Sequence, residues 1–149
     1  MRTVLFSVLT LLGSTQIHSQ PGMASRVDFA LYRIEQAFRT GDPGSVEDLI
    51  PSGIIMRIED SLYQGIPGRE ALSRLQEFFA NKDSIDFRFV LPGQGTMIYS
   101  SGGKRDSIQV DVWLKREYGE VFVYAINISN EPVATVFFNI PRDKSKTVN

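Results

Sequence analysis

The sequence predicts an α+β domain in which N-terminal helices cover one face of a curved antiparallel sheet. Residues 64–79 (QGIPGREALSRLQEFF) read as a strand end, a Gly/Pro turn and a helix. Ala71, Leu72, Leu75, Phe78 and Phe79 recur there at helical spacing on one side. Two helical stretches and two short strands precede this segment, and from Ile85 onward the apolar period falls from 3.6 to 2. Helices first and strands last is the α+β order. The 149 residues, 42% hydrophobic and 22% charged, suit one domain with its own core. A chain of this length buries roughly 68–70% of its unfolded surface without a metal or disulfide.

The elements follow in order. Arg2 precedes an apolar run, residues 4–12 (VLFSVLTLL), which Gly13, Ser14 and Thr15 interrupt. The run is too short to span a hydrocarbon layer of ~30 Å and carries no polar face, so it reads as an export signal rather than a membrane span or an amphipathic helix. Cleavage is expected after Ser19 or Ala24. This gives a signal peptide over 1–24, a domain over 25–141 and a polar tail over 142–149. A helix is expected over 26–40, with Ser25 as N-cap, Asp28 three residues on, and a stripe of Val27, Ala30, Leu31, Ile34 and Phe38. Gly41 suits a left-handed C-cap. Asp42-Pro43 restarts a short helix that turns Leu49 and Ile50 inward.

Residues 54–58 and 61–64 are short strands joined by Glu59-Asp60. Beyond the central helix, residues 85–91 alternate with Ile85, Phe87, Phe89 and Leu91 on one side. Turns at 92–95, 101–104, 118–119 and 130–132 separate strands at 96–100, 106–116, 121–128 and 133–140. In residues 106–116, Ile108, Val110, Val112 and Leu114 face the helices, while Gln109, Asp111, Trp113 and Lys115 face away.

This order resembles the nuclear transport factor 2-like superfamily, also called the cystatin-like cone fold. The resemblance spans residues 27–140. It rests on a first helix ending AFRTGD (37–42), the strand-turn-helix from Tyr63 to Phe79, and the closing meander. It is nearest to small exported bacterial members that are poorly characterised. Some members of the superfamily are isomerases, dehydratases or cyclases with an acid–base group inside the cone. Others are non-catalytic binding or dimerisation modules, and fold alone does not choose between them.

The residues narrow the chemistry. There is no Cys, and His18, the single His, lies in the expected signal. Removing the signal leaves no imidazole or thiol for a nucleophile–base pair or a zinc site. No calcium loop, phosphate loop or H-E-x-x-H occurs, so neither cofactor nor metal is expected. The Ser101–Lys104 loop reads as a hairpin tip. A net charge of −1 gives no basic footprint for nucleic acid. The Asn127-Ile128-Ser129 triplet falls inside a strand and carries no modification reading.

An enzyme of this fold would need a desolvated carboxylate in the cone. Asp111 is expected on the solvated outer face. Tyr32 and Tyr63 are candidates to point into the cone, and Asp60, beside Glu59, to edge its mouth. A small apolar ligand is the occupant such a cone would take. Trp113 points away from the helices, and Phe137 shares that side, out of step with Val136, Phe138 and Ile140. An aromatic pair on the uncovered face marks an interface. The resemblance implies the same, since the outer sheet face often forms the dimer contact in this superfamily. The expectation is an exported binding or dimerisation module without catalytic residues, with an isomerase, dehydratase or cyclase as the alternative.

Overall fold

The computed structural model describes residues 23–131. Residues 1–22 of the expected signal, the strand at 133–140 with Phe137, and the tail lie outside the described residues.

Helix α1 runs Met23–Thr40, a 3₁₀ helix Pro43–Leu49, strand β1 Ile54–Ile58, β2 Ser61–Ile66, helix α2 Gly68–Ala80, β3 Asp83–Leu91, β4 Gln94–Ser101, β5 Lys104–Glu117 and β6 Glu120–Ile128. α1 begins before the Ser25 cap that its side-chain chemistry suggested; Met23 and Ala24 are good helix formers, and nothing local stops the helix from including them. The other end agrees with expectation: Gly41 takes φ +69°, and Asp42 caps the 3₁₀ helix by accepting a hydrogen bond from Gly44 N at 2.9 Å, with Pro43 at the first position.

The six strands form one sheet in the order β2-β1-β6-β5-β4-β3. Two-residue turns at Pro92-Gly93, Gly102-Gly103 and Tyr118-Gly119 link β3 to β6 as a meander; of these six residues all but Pro92 adopt positive φ. One expected detail changes. The sheet is mixed, because β1 pairs with β6 in parallel, Ile55 to Ala125 through Ile58 to Ile128, while every other pair is antiparallel. α2 carries the chain from β2 to the far edge. The meander then returns to close on β1, and its three reversals set the direction in which β6 arrives.

The concave face meets the helices. Ala30, Ile34, Ala37 and Phe38 of α1 and Ala71, Leu75, Phe78 and Phe79 of α2 share one core with Met56, Phe87, Met97, Ile108, Val110, Val112, Val123, Ile126 and Ile128. The row Ile108–Val112 therefore faces Leu75 and Phe79, as the alternation required. β3 departs from expectation at its ends: Phe87 is buried, but Ile85 and Leu91 are exposed. Register shifts at Ser84/Asp86 and Phe89/Leu91 turn those positions out, as irregularities on edge strands do. A bulge between β5 and β6 inserts Tyr124 opposite the Trp113–Leu114 step, which adds local twist and curves the sheet.

Candidate functional site

In this fold the cone interior is the first place to look for chemistry, and here side chains fill it. Phe38 meets Phe79 edge-on at 5.2 Å between ring centroids and lies tilted against Phe87 at 5.0 Å; Phe87 meets Phe89 edge-on at 5.1 Å. The Phe87 ring rests over Gly95, where an added Cβ would come within 3.0 Å of Phe87 Cε2. Among the described residues no carboxylate belongs to this core.

Tyr32 does not enter the cone. It stands on the outer side of α1, 59% exposed, because the buried stripe is Ala30, Ile34, Ala37 and Phe38 and position 32 falls opposite it. Tyr63 is half-buried on β2 at the edge of the core, with the Arg74 guanidinium 5.0 Å above its ring. Asp60 is exposed in the β1–β2 turn. Tyr32, Tyr63 and Asp60 are not brought together.

The outer face of the sheet holds what alternation alone did not show. Asp111 points away from the helices, as expected, yet it is 2% exposed rather than solvated. Its cross-strand partner is Asn127, which is fully buried and donates Nδ2–H to Asp111 Oδ2 at 3.1 Å. Gln109 Nε2 donates to Asp111 Oδ1 at 3.4 Å. Asn127 Oδ1 is buried with no hydrogen-bond partner. The row continues onto β1, where Arg57 registers with Asn127 and pairs with Glu131. This polar ladder occupies the middle of the face.

Toward the β5–β6 hairpin the same face becomes aromatic. Trp113 lies between Val112 and Leu114, which both pack inward, so its indole is on the outer side, half-buried. Phe122 registers with Lys115, and Tyr124 is the bulge residue; Phe122 is half-buried and Tyr124 is 40% exposed. Phe122 and Tyr124 were not singled out beforehand, although they stand out of phase with Val121 and Val123, which was the available signal.

A groove of about 430 Å³ lies between α1, the 3₁₀ helix and the hairpin, with Phe29, Arg33, Asp48 and Glu120 in its walls. Arg33 forks onto Asp48 with contacts of 2.6 and 2.8 Å. The hydrogen bonds from Arg33 hold the Asp48 carboxyl below its usual range and raise the guanidinium in turn. Arg26 pairs with Glu120 at 3.6 Å. These charges answer one another, and the Arg33 guanidinium also lies 5.9 Å from the centroid of the exposed Phe29 ring.

No family model matches the sequence, and no curated protein matches it. Solved structures do. A DUF4783 family protein from Bacteroides uniformis superposes with a TM-score of 0.54 at 14% identity, over 68% of this chain and 96% of its own. A designed nuclear transport factor 2-type protein with a long sheet gives 0.51 at 13%, over 68% and 98%. The fold is a nuclear transport factor 2-like cone. An LEH-like epoxide hydrolase from M. tuberculosis shares it at a TM-score of 0.50 and 12% identity, over 76% of this chain and 83% of that one. At such identities the likeness extends to the fold and no further.

Proposed function

We propose that this chain is an exported, non-catalytic cone-fold module that pairs with a second copy of itself through the outer face of its sheet. The observation that carries the non-catalytic part is the filled interior. Phe38, Phe79, Phe87 and Phe89 occupy the space where an enzyme of this fold would hold substrate. The one buried acid among the described residues, Asp111, stands on the opposite face. The same filling argues against the small apolar ligand anticipated for the cone. The leader-like run at residues 4–12 supports export.

Pairing rests on the aromatic strip of Trp113, Phe122 and Tyr124, continued by the exposed Tyr118 at the hairpin tip. Tyr and Trp side chains dominate interface energies, and in this superfamily the outer sheet face often serves as the dimer contact. The isomerase, dehydratase or cyclase alternative has no observation in its favour.

Light scattering across a concentration series tests the pairing. The wild type is expected to approach a dimeric mass at micromolar concentration. Trp113→Ala is expected to raise the dissociation constant roughly 30-fold or more, the effect of losing a central aromatic anchor. A wild-type mass that stays monomeric, or one that Trp113→Ala leaves unchanged, removes the dimer from the account.

A further inference from the structure

Strand β3 ends the order of strands on one side of the sheet. An edge strand offers a row of main-chain N–H and C=O groups to any other strand that comes near. Arg88 registers with Thr96, and Arg88 O lies on the β4 side, 2.5 Å from where a Cβ on Gly95 would fall. Main-chain groups point to alternate sides along a strand. Those of Phe87 and Phe89 therefore point outward, away from β4, and two of them meet side chains of α1. Arg39 Nε donates to Phe87 O at 2.6 Å, and Glu35 Oε2 accepts from Phe89 N at 3.1 Å. We propose that Glu35 and Arg39 guard this edge, and that the partner they hold off is β3 of a second copy of this chain, aligned antiparallel about Phe87.

The placement of the two side chains makes the first argument. Each follows a core residue of α1, Ile34 or Phe38, so both stand beside the buried stripe. One helical turn apart, they join at 3.3 Å as an ion pair. The pair thus presents an acceptor and a donor together, facing an outward N–H and an outward C=O two residues apart on β3. Each cap is a hydrogen bond to an ionised side chain, the stronger kind.

The charge pattern of β3 identifies the partner. Asp86 and Arg88 flank Phe87 on one face, 4.0 Å apart and both open to solvent. Antiparallel pairing about Phe87 sets Asp86 of each copy directly opposite Arg88 of the other, and opposite charges across a strand pair favour it. Moving the centre to Arg88 would set two arginines face to face. Charge therefore selects the register centred on Phe87, whose main-chain bonds fall on the outward groups that α1 now occupies.

Apolar surface adds a reason for the guard. Ile85, Val90 and Leu91 of β3 are all exposed, and a hydrophobic edge strand is a template for association. A two-fold pairing of this kind is isologous and closes with two copies. It joins the two sheets edge to edge and leaves the outer faces free, so it is separate from pairing through Trp113.

Light scattering at about 100 μM protein tests the guard in a Trp113→Ala background, which removes pairing through the outer face and lets the two readings fail separately. Adding Glu35→Ala and Arg39→Ala should raise the mass toward a dimer, with circular dichroism confirming the fold. Adding Asp86→Arg as well, which sets like charges across the pair, should return the mass to that of the Trp113→Ala parent. Hydrogen exchange in the wild type gives a second reading that needs no variant to fold. The Phe89 amide should exchange at least about tenfold more slowly than an unprotected amide, and Glu35→Ala should remove that protection. The proposal is overturned if the mass does not rise above the parent's in the folded variant, if the rise is indifferent to Asp86→Arg, or if the wild-type Phe89 amide exchanges freely.

Discussion

Replacing Phe87 by alanine measures how full the cone is. The ring is fully buried, in contact with Phe38 and Phe89 and seated over Gly95. Removing it forfeits transfer free energy of about 2 kcal/mol. The cavity left behind, roughly 100 Å³, adds about 2.4 kcal/mol at 24 cal/mol per Å³. Relaxation cannot recover much, because the neighbour beneath the ring is a glycine with no side chain to move in. The expected loss is therefore about 4 kcal/mol, within the usual range for Phe→Ala in a core. Urea unfolding followed by far-UV circular dichroism reads this directly. Because 4 kcal/mol is a large part of the 5–15 kcal/mol that typically stabilises a domain, Phe87→Leu provides a gentler companion, expected to cost about 1–1.5 kcal/mol. A Phe87→Ala loss below about 1.5 kcal/mol would mean that the ring borders space already empty, and the filled-cone argument would fail with it.

Asn127→Ala should cost about 1.5–3 kcal/mol, since it strips a buried carboxylate of its closest donor; a change within 0.5 kcal/mol in the same urea assay would show that Asp111 is hydrated. Gly93→Ala should lose roughly 1–3 kcal/mol, because Gly93 sits at φ +78° and its Cβ would fall 2.4 Å from Val112 O; an unaltered melting temperature would contradict the tight β3–β4 turn. Tyr99 carries a pKa raised above the unfolded value of 10.0, chiefly by burial. Its contribution to stability is complete below pH 10 and is lost as pH rises through the folded pKa. Stability measured from pH 9 to 11 should thus fall more steeply in the wild type than in Tyr99→Phe, and identical slopes would refute the desolvation of that side chain.

Local chemistry made much of the fold legible. The α2 stripe, the limits of β1, the Asp42-Pro43 cap and the Tyr118-Gly119 turn each depend on residues a few positions apart, and short-range sterics and hydrogen bonding decide them. The parallel meeting of β1 with β6 joins residues about seventy positions apart, and nothing in either strand's alternation encodes direction. Ile85 and Leu91 kept the apolar pattern of β3 yet face solvent, because bulges on an edge strand shift phase without leaving a sequence mark. The outer face was half legible. Alternation placed Trp113 and Asp111 on it correctly, but the step from "away from the helices" to "solvated" failed at Asp111, where Asn127 lies directly across the strand. Tyr99 passed unnoticed because one inward tyrosine among Gly95 and Met97 looks like ordinary core.

The central claim, that the cone is closed and the chain acts through its exterior, can be tested by thermal unfolding of wild type and Phe87→Ala over a rising concentration of benzene. Apolar cavities made by truncation take up benzene, and a ligand of the native state raises the melting temperature with concentration. The account predicts a rising melting temperature for Phe87→Ala and a flat response for the wild type. A wild-type melting temperature that climbs with benzene would reveal an open interior and return the search for function to the inside of the cone.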